Sequence, residues 1–283
     1  MSDRGPGDLT SPDTGALGPL TTDIQGATFS MGSPGTEPCR LGDETQHSVT
    51  LTRAFTIHQT EVTQRQFEAL MGYNPSKYTC ADCPVETVTW YEAAAYCSAL
   101  SSKLGLNGCY SCTGAGTPGV TCAELPAYAG DKIYGCPGFR LPTEAEWERA
   151  YRAGSTGAYY SGSFSSPDCS TTSCTVDANV AAIAWYCGNA TGGPRPVGTK
   201  QPNTWGLFDM AGNVWEWTHD WYQAFSSDAV TDPGGPTSGT YKAVRGGGWS
   251  SHPQYLRAAK RMMGKPVGKI ATIGFRCSRT RTP

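Results

Sequence analysis

The stretch Gly206–Tyr222 reads Gly-Leu-Phe-Asp-Met-Ala-Gly-Asn-Val-Trp-Glu-Trp-Thr-His-Asp-Trp-Tyr, and the rest of the chain is organised around it. Its two carboxylates, Asp209 and Glu216, lie on either side of a Gly-Asn pair, and three tryptophans fall within seven residues. A glycine lets the backbone turn so that carbonyl oxygens can point inward beside the carboxylates. Oxygen ligands without Cys or His are the set that a hard cation such as Ca2+ prefers. On spacing alone, a turn that leads into a buried aromatic strand is the simpler interpretation, with a cation site as the alternative.

The sequence contains two further motifs, one before this stretch and one after it. One is Gly138-Phe-Arg-Leu-Pro-Thr-Glu-Ala-Glu-Trp-Glu148, and the other is Arg245-Gly-Gly-Gly-Trp249, which leads to Ile273-Gly-Phe-Arg-Cys277. In their order along the chain, the three motifs closely resemble the signatures of the formylglycine-generating enzyme (sulfatase-modifying factor) family. The resemblance extends over roughly residues 24–279. The resemblance implies a C-type-lectin-like fold with little regular secondary structure, long loops and a ligand surface built from the C-terminal loops.

Calcium ligands are implied by the same resemblance. In that family the first signature binds calcium through two side chains and two backbone carbonyls. The matching positions here are Asp209, Gly212, Val214 and Glu216. A second family site maps onto Asn179, Val180, Asn189 and Thr191. Asn189 stands where an aspartate is expected, so this second site lacks a charge that a hard cation favours.

The catalytic residues of the family are missing. Formylglycine-generating enzymes bind copper through two cysteines that follow the Arg-Gly-Gly segment, and thiolates suit the soft Cu(I) ion. Here Trp249 is followed by Ser-Ser-His-Pro-Gln-Tyr-Leu, without a cysteine. We therefore expect neither copper nor formylglycine-generating activity. Whether another chemistry remains is left open by the sequence.

Composition indicates the fold class and limits the partners. With Gly 35, Pro 20 and 16% charged residues, we expect an α+β, loop-rich chain with little long helix. A net charge of −2 argues against nucleic acid as the partner, and no apolar run is long enough to span a bilayer. Residues 1–23 are expected to be a flexible tail, exposed after a secretion signal has been removed, and residues 24–283 a single domain.

Local patterns predict three helices and several short strands. Thr-x-x-Gln or Thr-x-x-Glu capping boxes predict helix starts at Thr63, Thr89 and Thr143. Alternating apolar residues predict strands near residues 27–32, 47–51 and 55–57.

Twelve cysteines indicate disulfides and an oxidising, extracytoplasmic location. Zinc bound by the two CxxC pairs, Cys80–Cys83 and Cys109–Cys112, is the competing interpretation. The family resemblance implies a bond between Cys97 and Cys277. We also expect a short-range bond between Cys169 and Cys174.

Two functions remain in competition. The first is an extracytoplasmic, calcium-stabilised module that binds a protein or small-molecule ligand, and we expect it to be a monomer. Its C-terminal frame also resembles variable proteins of diversity-generating retroelements, in which the corresponding segment carries the hypervariable binding residues. The expected ligand-binding residues form one exposed patch: Trp249, Ser250, Ser251, His252, Gln254, Tyr255, Met262, Met263, Lys265 and Lys269. The alternative is an enzyme with non-copper chemistry on a small molecule or peptide, with His252, Tyr255 and Glu216 as acid–base candidates.

Overall fold

Short strands joined by long loops make up most of the chain, and the computed structural model describes residues 20–162, 169 and 174–281. Within these ranges the helices are α1 Gln64–Met71, α2 Trp90–Lys103, α3 Glu144–Arg152 and α4 Ala178–Ile183. In the described part of the chain, none of the helices is both long and apolar enough to cross a membrane. The predicted α+β class is confirmed.

Local sequence signals explain the first three helices. The capping boxes are formed at all three predicted N-caps, where a threonine side chain accepts from the third helical residue and that residue's side chain accepts in return. Helix α4 was not predicted because it has only six residues and no box. Its N-cap, Asp177, accepts instead from the backbone of Asn179 and Val180.

The strands form four small sheets. They are β1 Thr21–Ile24, β2 Thr28–Met31, β3 His47–Thr50, β4 Phe55–His58, β5 Tyr110–Thr113, β6 Thr121–Glu124, β7 Trp215–Trp221, β8 Val230–Thr231, β9 Lys242–Arg245, β10 Arg261–Gly264, β11 Ile273–Gly274 and β12 Ser278–Thr280. Their orders are β1-β4-β12, β10-β9-β7-β11, β2-β3-β8 and β5-β6. The three predicted strands are confirmed as β2, β3 and β4.

Strand β1 overlaps the predicted domain boundary. It pairs antiparallel with β4 over Thr21–Ile24, so its first three residues fall within the predicted tail, and the boundary at residue 24 stays a prediction. The remainder of the predicted tail, residues 1–19, lies outside the described residues.

The sheet β10-β9-β7-β11 carries the motif quoted first. Trp217 of β7 is fully buried, and its Nε1 donates to the carbonyl of Val88 at 2.9 Å. A Cβ at Gly264 would lie 2.3 Å from the Trp217 ring, so β10, on the far side of β9 from β7, needs glycine there. Helix α3 supplies Glu144 to Arg245 of β9, at 3.2 Å. The motif is therefore both the centre of a sheet and the point where helix α3 is attached.

All twelve cysteines form disulfides, so the zinc interpretation of the CxxC pairs is wrong. The pairs are Cys39–Cys169, Cys80–Cys83, Cys97–Cys277, Cys109–Cys136, Cys112–Cys122 and Cys174–Cys187. The Cys97–Cys277 bond is confirmed. The expected Cys169–Cys174 bond is wrong, because the fold brings each of these residues beside a different partner, Cys39 and Cys187.

The Cys97–Cys277 bond should contribute far more to stability than the Cys80–Cys83 bond. It joins residues separated by 180 positions, against 3 for Cys80–Cys83. In the chain-entropy model, replacing both Cys97 and Cys277 with alanine should lower the free energy of unfolding by about 3–5 kcal/mol, against about 2 kcal/mol for the shorter pair. Guanidinium unfolding of the two double variants measures the difference. Equal losses would contradict the entropic account.

Candidate functional site

The turn before β7 is built from left-handed backbone. Asp209, Gly212 and Asn213 have φ values of 54°, 82° and 56°. A Cβ at Gly212 would lie 2.3 Å from the carbonyl oxygen of Trp185, so glycine is required both by conformation and by space. The Asn213 side chain fastens the turn, since its Oδ1 accepts from the Arg195 backbone at 2.9 Å and its Nδ2 donates back at 3.2 Å.

Glu216 is the meeting point of the three sequence motifs. It is fully buried, and Arg276 of the last motif donates to both of its carboxylate oxygens at 2.8 Å. Trp147 of the second motif adds a bond from its Nε1 to Glu216 Oε2 at 2.9 Å. A bidentate guanidinium–carboxylate pair fixes orientation as well as charge. Glu216 is therefore not available as an acid–base group at the surface, where the enzyme alternative would need it.

Asp209 and Glu61 lie close to this ion pair and are less well satisfied. Asp209 Oδ2 accepts from the Gly198 backbone at 2.6 Å. Its Oδ1 and both oxygens of Glu61 are buried without a hydrogen-bond partner in the described part of the chain. Among the described residues, every other fully buried carboxylate oxygen has a hydrogen-bond partner.

The pKa values of both acids respond to this environment. Burial raises the pKa of Asp209 to about 6. Burial, and then the neighbouring Asp209, raises the pKa of Glu61 well above its ordinary value. Glu61 was missed by the sequence reasoning, although an acidic residue directly before the apolar Val62 and the helix N-cap is a usable signal.

These residues form a site with excess negative charge. When ionised, the three carboxylates of Glu61, Asp209 and Glu216 outnumber the cations that act on them, which are Arg276 and, more weakly and on Asp209, Lys200. Burial of an uncompensated charge is costly, and a divalent cation would supply the missing positive charge. The donors are oxygens only, as a hard cation prefers. Because Glu216 is turned toward Arg276, the oxygens left for a cation belong mainly to Asp209 and Glu61. The residues present fit calcium on these grounds.

The second predicted calcium site has its polar atoms engaged elsewhere. Asn189 Oδ1 accepts from the Tyr186 backbone and its Nδ2 donates to the Ala184 carbonyl, both at 2.9 Å. The carbonyl of Thr191 accepts from Arg195 at 3.1 Å, and Val180 is buried within α4. This site stays a prediction.

The ten predicted ligand-binding residues differ in exposure. Four are exposed, five are half-buried and one is buried. The exposed residues are Ser250, Met263, Lys265 and Lys269. The half-buried residues are Trp249, Ser251, His252, Tyr255 and Met262, and the buried residue is Gln254. Met262 and Met263 are neighbours in β10, so their side chains point to opposite faces of the sheet. They do not share one patch.

Part of the set gathers beside the Cys174–Cys187 disulfide. The rings of His252 and Tyr255 contact edge-on, with centroids 6.4 Å apart. His252 Nδ1 lies 3.5 Å from Cys174 Sγ and 3.8 Å from Cys187 Sγ. The backbone N–H of Cys187 donates to the Ser251 carbonyl at 3.1 Å.

Trp249 connects this group to the remaining predicted residues. Its ring contacts Tyr78 edge-on, and its Nε1 donates to the Ala271 carbonyl at 3.3 Å. Lys269, two residues before Ala271, reaches Glu92 at the start of α2, at 3.2 Å. Tyr78 was missed by the sequence reasoning because it lies far from this segment along the chain.

Short strands and long loops, six disulfides and a buried glutamate shared by three motifs define a formylglycine-generating-enzyme-like domain with a C-type-lectin-like fold. The family described as sulfatase-modifying factor enzyme 1-like domain matches residues 9–281, and this chain belongs to it.

Relatives and solved structures agree with this assignment. The chain is 35% identical over 223 residues to the chaperone protein LppX of Paenibacillus barcinonensis, with 70% of each sequence covered. It is 38% identical over 154 residues to the formylglycine-generating enzyme of Thermomonospora curvata, covering 50% of this chain and only 49% of that enzyme. Treponema denticola variable protein 1 superimposes with a TM-score of 0.73 at 31% identity, covering 92% of this chain and 95% of that one.

The protonation of Asp209 predicts a pH effect on stability. Folded Asp209 holds its proton up to about pH 6, whereas unfolded aspartate releases it near its ordinary value of 3.8. The folded state therefore binds more protons between these values, and the stabilisation present at low pH is lost as pH rises through about 6. In calcium-free protein, Asp209→Asn should remove a decline on the order of 2–3 kcal/mol. Urea unfolding with chelator, between about pH 4 and pH 7, measures it.

Asp220→Asn is the matched control. Burial, and then Glu144, raises the pKa of Asp220 to about 8, so its effect on stability should extend to about pH 8. If the Asp209 variant follows the wild-type pH profile throughout, the raised pKa of Asp209 is contradicted.

Proposed function

We propose that this chain is an extracytoplasmic ligand-binding domain, whose binding face is the loop of residues 249–255 together with Tyr78. The observation that carries the proposal is that this loop has a rigid backbone beneath half-buried aromatic and small polar side chains. Loops held on a rigid scaffold are where recognition concentrates. Six disulfides without a free cysteine support an oxidising compartment.

The backbone of the binding face is held at several points. Trp249 N donates to the Asn213 carbonyl at 2.6 Å, which ties the loop to the turn before β7. Gly248 N donates to Ser251 Oγ at 2.9 Å. A Cβ at Gly247 would meet the Leu256 side chain at 2.3 Å, so the entry to the loop also needs glycine. A preorganised loop loses little conformational entropy when it binds.

The side chains of the binding face favour a macromolecular ligand. Tryptophan and tyrosine carry a large share of the energy at protein interfaces, and serine provides adaptable hydrogen bonds. A cavity of about 100 Å3 lies elsewhere, between Asp220, Phe225 and Arg261, and none of the ten predicted residues lines it. The likeness to a Treponema variable protein at 31% identity supports the same assignment.

Calcium has a structural role in this proposal. The buried carboxylates of Asp209 and Glu61 and the carbonyls of Gly212 and Val214 would hold it, next to the Glu216–Arg276 pair. A bound calcium ion supplies the positive charge that the cluster lacks. The turn that it stabilises carries Asn213, to which Trp249 is bonded, so calcium and the binding face are mechanically connected.

Removal of calcium should lower the melting temperature, and added Ca2+ should restore it. Binding to the native state alone stabilises by about 2.7 kcal/mol at a hundredfold excess over Kd. Asp209→Ala should abolish the response to calcium, as followed by calorimetry with and without chelator.

Asp82→Ala serves as the control. This residue forms an exposed pair with Arg65, so its loss should leave the calcium response unchanged. Elemental analysis of untreated protein detects a calcium ion that is too deeply buried for the chelator to remove. Absence of calcium from that sample, together with an unchanged melting curve, would contradict the proposal.

Alanine at Ser250, His252 and Tyr255 should remove ligand binding while folding is retained. These side chains lie on the binding face, whereas Ser251 is left intact because its hydroxyl accepts from Gly248. The measurement is binding of labelled wild-type and triple-variant protein to arrays of extracellular proteins and of glycans. We expect protein hits that weaken at least tenfold in the variant, about 1.4 kcal/mol.

Ser227→Ala with Ser238→Ala provides a control at exposed positions away from the binding face. Circular dichroism checks that all variants fold. Binding that survives the triple substitution, or hits confined to glycans, would overturn the assignment of a protein-binding face at this loop.

A further inference from the structure

Three soft or borderline metal ligands converge at one edge of the binding face. Cys174 lies before α4, Cys187 lies after it, and His252 comes from the C-terminal loop. One ligand atom from each lies within 4.8 Å of the other two. Cys174 is exposed and the other two residues are half-buried, so the cluster is open to small solutes.

We propose that this cluster is a redox-controlled site for a thiophilic metal ion, Cu+ or Zn2+. In the oxidised protein the two sulfurs are bonded to each other and the site is closed. Reduction of this disulfide leaves two thiolates and His252 Nδ1 as three ligands. Paired thiolates with an imidazole suit these ions, and a three-ligand site keeps a position open to solvent or to a ligand.

The surrounding hydrogen bonds keep the ligands together when the disulfide opens. The backbone N–H of Asp177, three residues after Cys174, donates to Tyr186 Oη at 2.9 Å. Cys187 follows Tyr186 directly, and its own N–H donates to the Ser251 carbonyl at 3.1 Å. Both cysteines and the histidine are therefore attached to one framework by bonds that do not involve sulfur.

The chemistry balances with an external dithiol as the reductant. The dithiol transfers two electrons and two protons to the Cys174–Cys187 bond and is itself oxidised to a disulfide. The two resulting thiols lose their protons when the metal binds, since only thiolates ligate. His252 binds through Nδ1 with its proton on Nε2. Reoxidation by a small-molecule disulfide, which takes up the two electrons from the thiolates and two protons from solvent and becomes two thiols, re-forms the Cys174–Cys187 bond and releases the metal.

The solvent exposure of Cys174 favours selective reduction of the Cys174–Cys187 bond. The Cys97–Cys277 and Cys109–Cys136 bonds have no exposed surface, whereas Cys174 is exposed. The Cys39–Cys169 bond is also accessible, since Cys169 is exposed and Cys39 half-buried. Cys80 and Cys112 are half-buried as well, so the Cys80–Cys83 and Cys112–Cys122 bonds are followed in the same alkylation map.

The experiment measures metal affinity before and after mild reduction. Protein is treated with a limiting dithiol without oxygen, reduced cysteines are mapped by alkylation and mass spectrometry, and Cu+ or Zn2+ is titrated against a chromophoric chelator. We expect one equivalent bound after reduction and none at this site before it. X-ray absorption should report two sulfurs and one nitrogen around the metal.

Substitutions separate this site from adventitious thiol binding. His252→Ala keeps both sulfurs and should weaken affinity by at least about tenfold, the lower end of what loss of even an outer-shell partner causes. Cys187→Ser should abolish binding. His47→Ala removes an imidazole that is not part of the cluster, and Cys39→Ser with Cys169→Ser removes the other bond that has an exposed cysteine. Both should leave the affinity unchanged.

Two results would overturn the proposal. One is equal affinity in the wild-type protein and the His252→Ala variant, with His252→Gln as a second replacement. The other is metal binding that follows reduction of Cys39–Cys169 instead. The two proposals share His252 but are separated by the other residues: Cys187→Ser removes the metal ligand without changing a residue of the binding face, and Ser250→Ala with Tyr255→Ala changes the binding face without removing a ligand of the cluster.

Discussion

Buried arginine–glutamate pairs are the interaction on which the loops of this fold depend. Arg276–Glu216, Arg245–Glu148 and Arg257–Glu44 join side chains without exposed surface. The partners are 60, 97 and 213 residues apart in the sequence. Loss of one member of such a pair typically costs about 3–5 kcal/mol, because the other charge is left buried and alone. Each pair therefore fixes two segments that are distant in the sequence against each other.

This way of building a domain explains how long loops can be rigid. Ladders of backbone hydrogen bonds are short here, so loop positions are set by ion pairs, disulfides and glycines that allow close approach. Arg245 shows the result. Its guanidinium reaches the carbonyl of Ala258 at 2.7 Å and also Glu144 and Glu148 of α3. The segment between Arg245 and Ala258, which holds the binding face, is thus attached to the core at both ends.

The structural features that could be predicted from the sequence are those that depend on residues close together along the chain. Capping boxes need only four consecutive residues, and all three helices that carry one were predicted. The turn between Asp209 and Glu216 was predicted from the glycine there, and Gly212 has the left-handed φ of 82° that such a turn needs. The bond between Cys97 and Cys277 was implied by family resemblance rather than by spacing. Where partners are chosen by tertiary structure, as for Cys169 and Cys174, closeness in sequence led to the wrong pair.

The same limit explains why Glu61 was overlooked, and it bears on the cation site. Elsewhere in the described core, buried carboxylates have hydrogen-bond donors for their oxygens. The three oxygens without one all belong to Glu61 and Asp209. Arg276 serves these two residues and Glu216, and Lys200 adds a weaker attraction to Asp209, so the three carboxylates still outnumber the cations beside them. Either protons or a cation must make up the difference, and the raised pKa values describe the first solution. A divalent ion with oxygen ligands is the second, and by binding there it would also restrain the turn that positions Trp249.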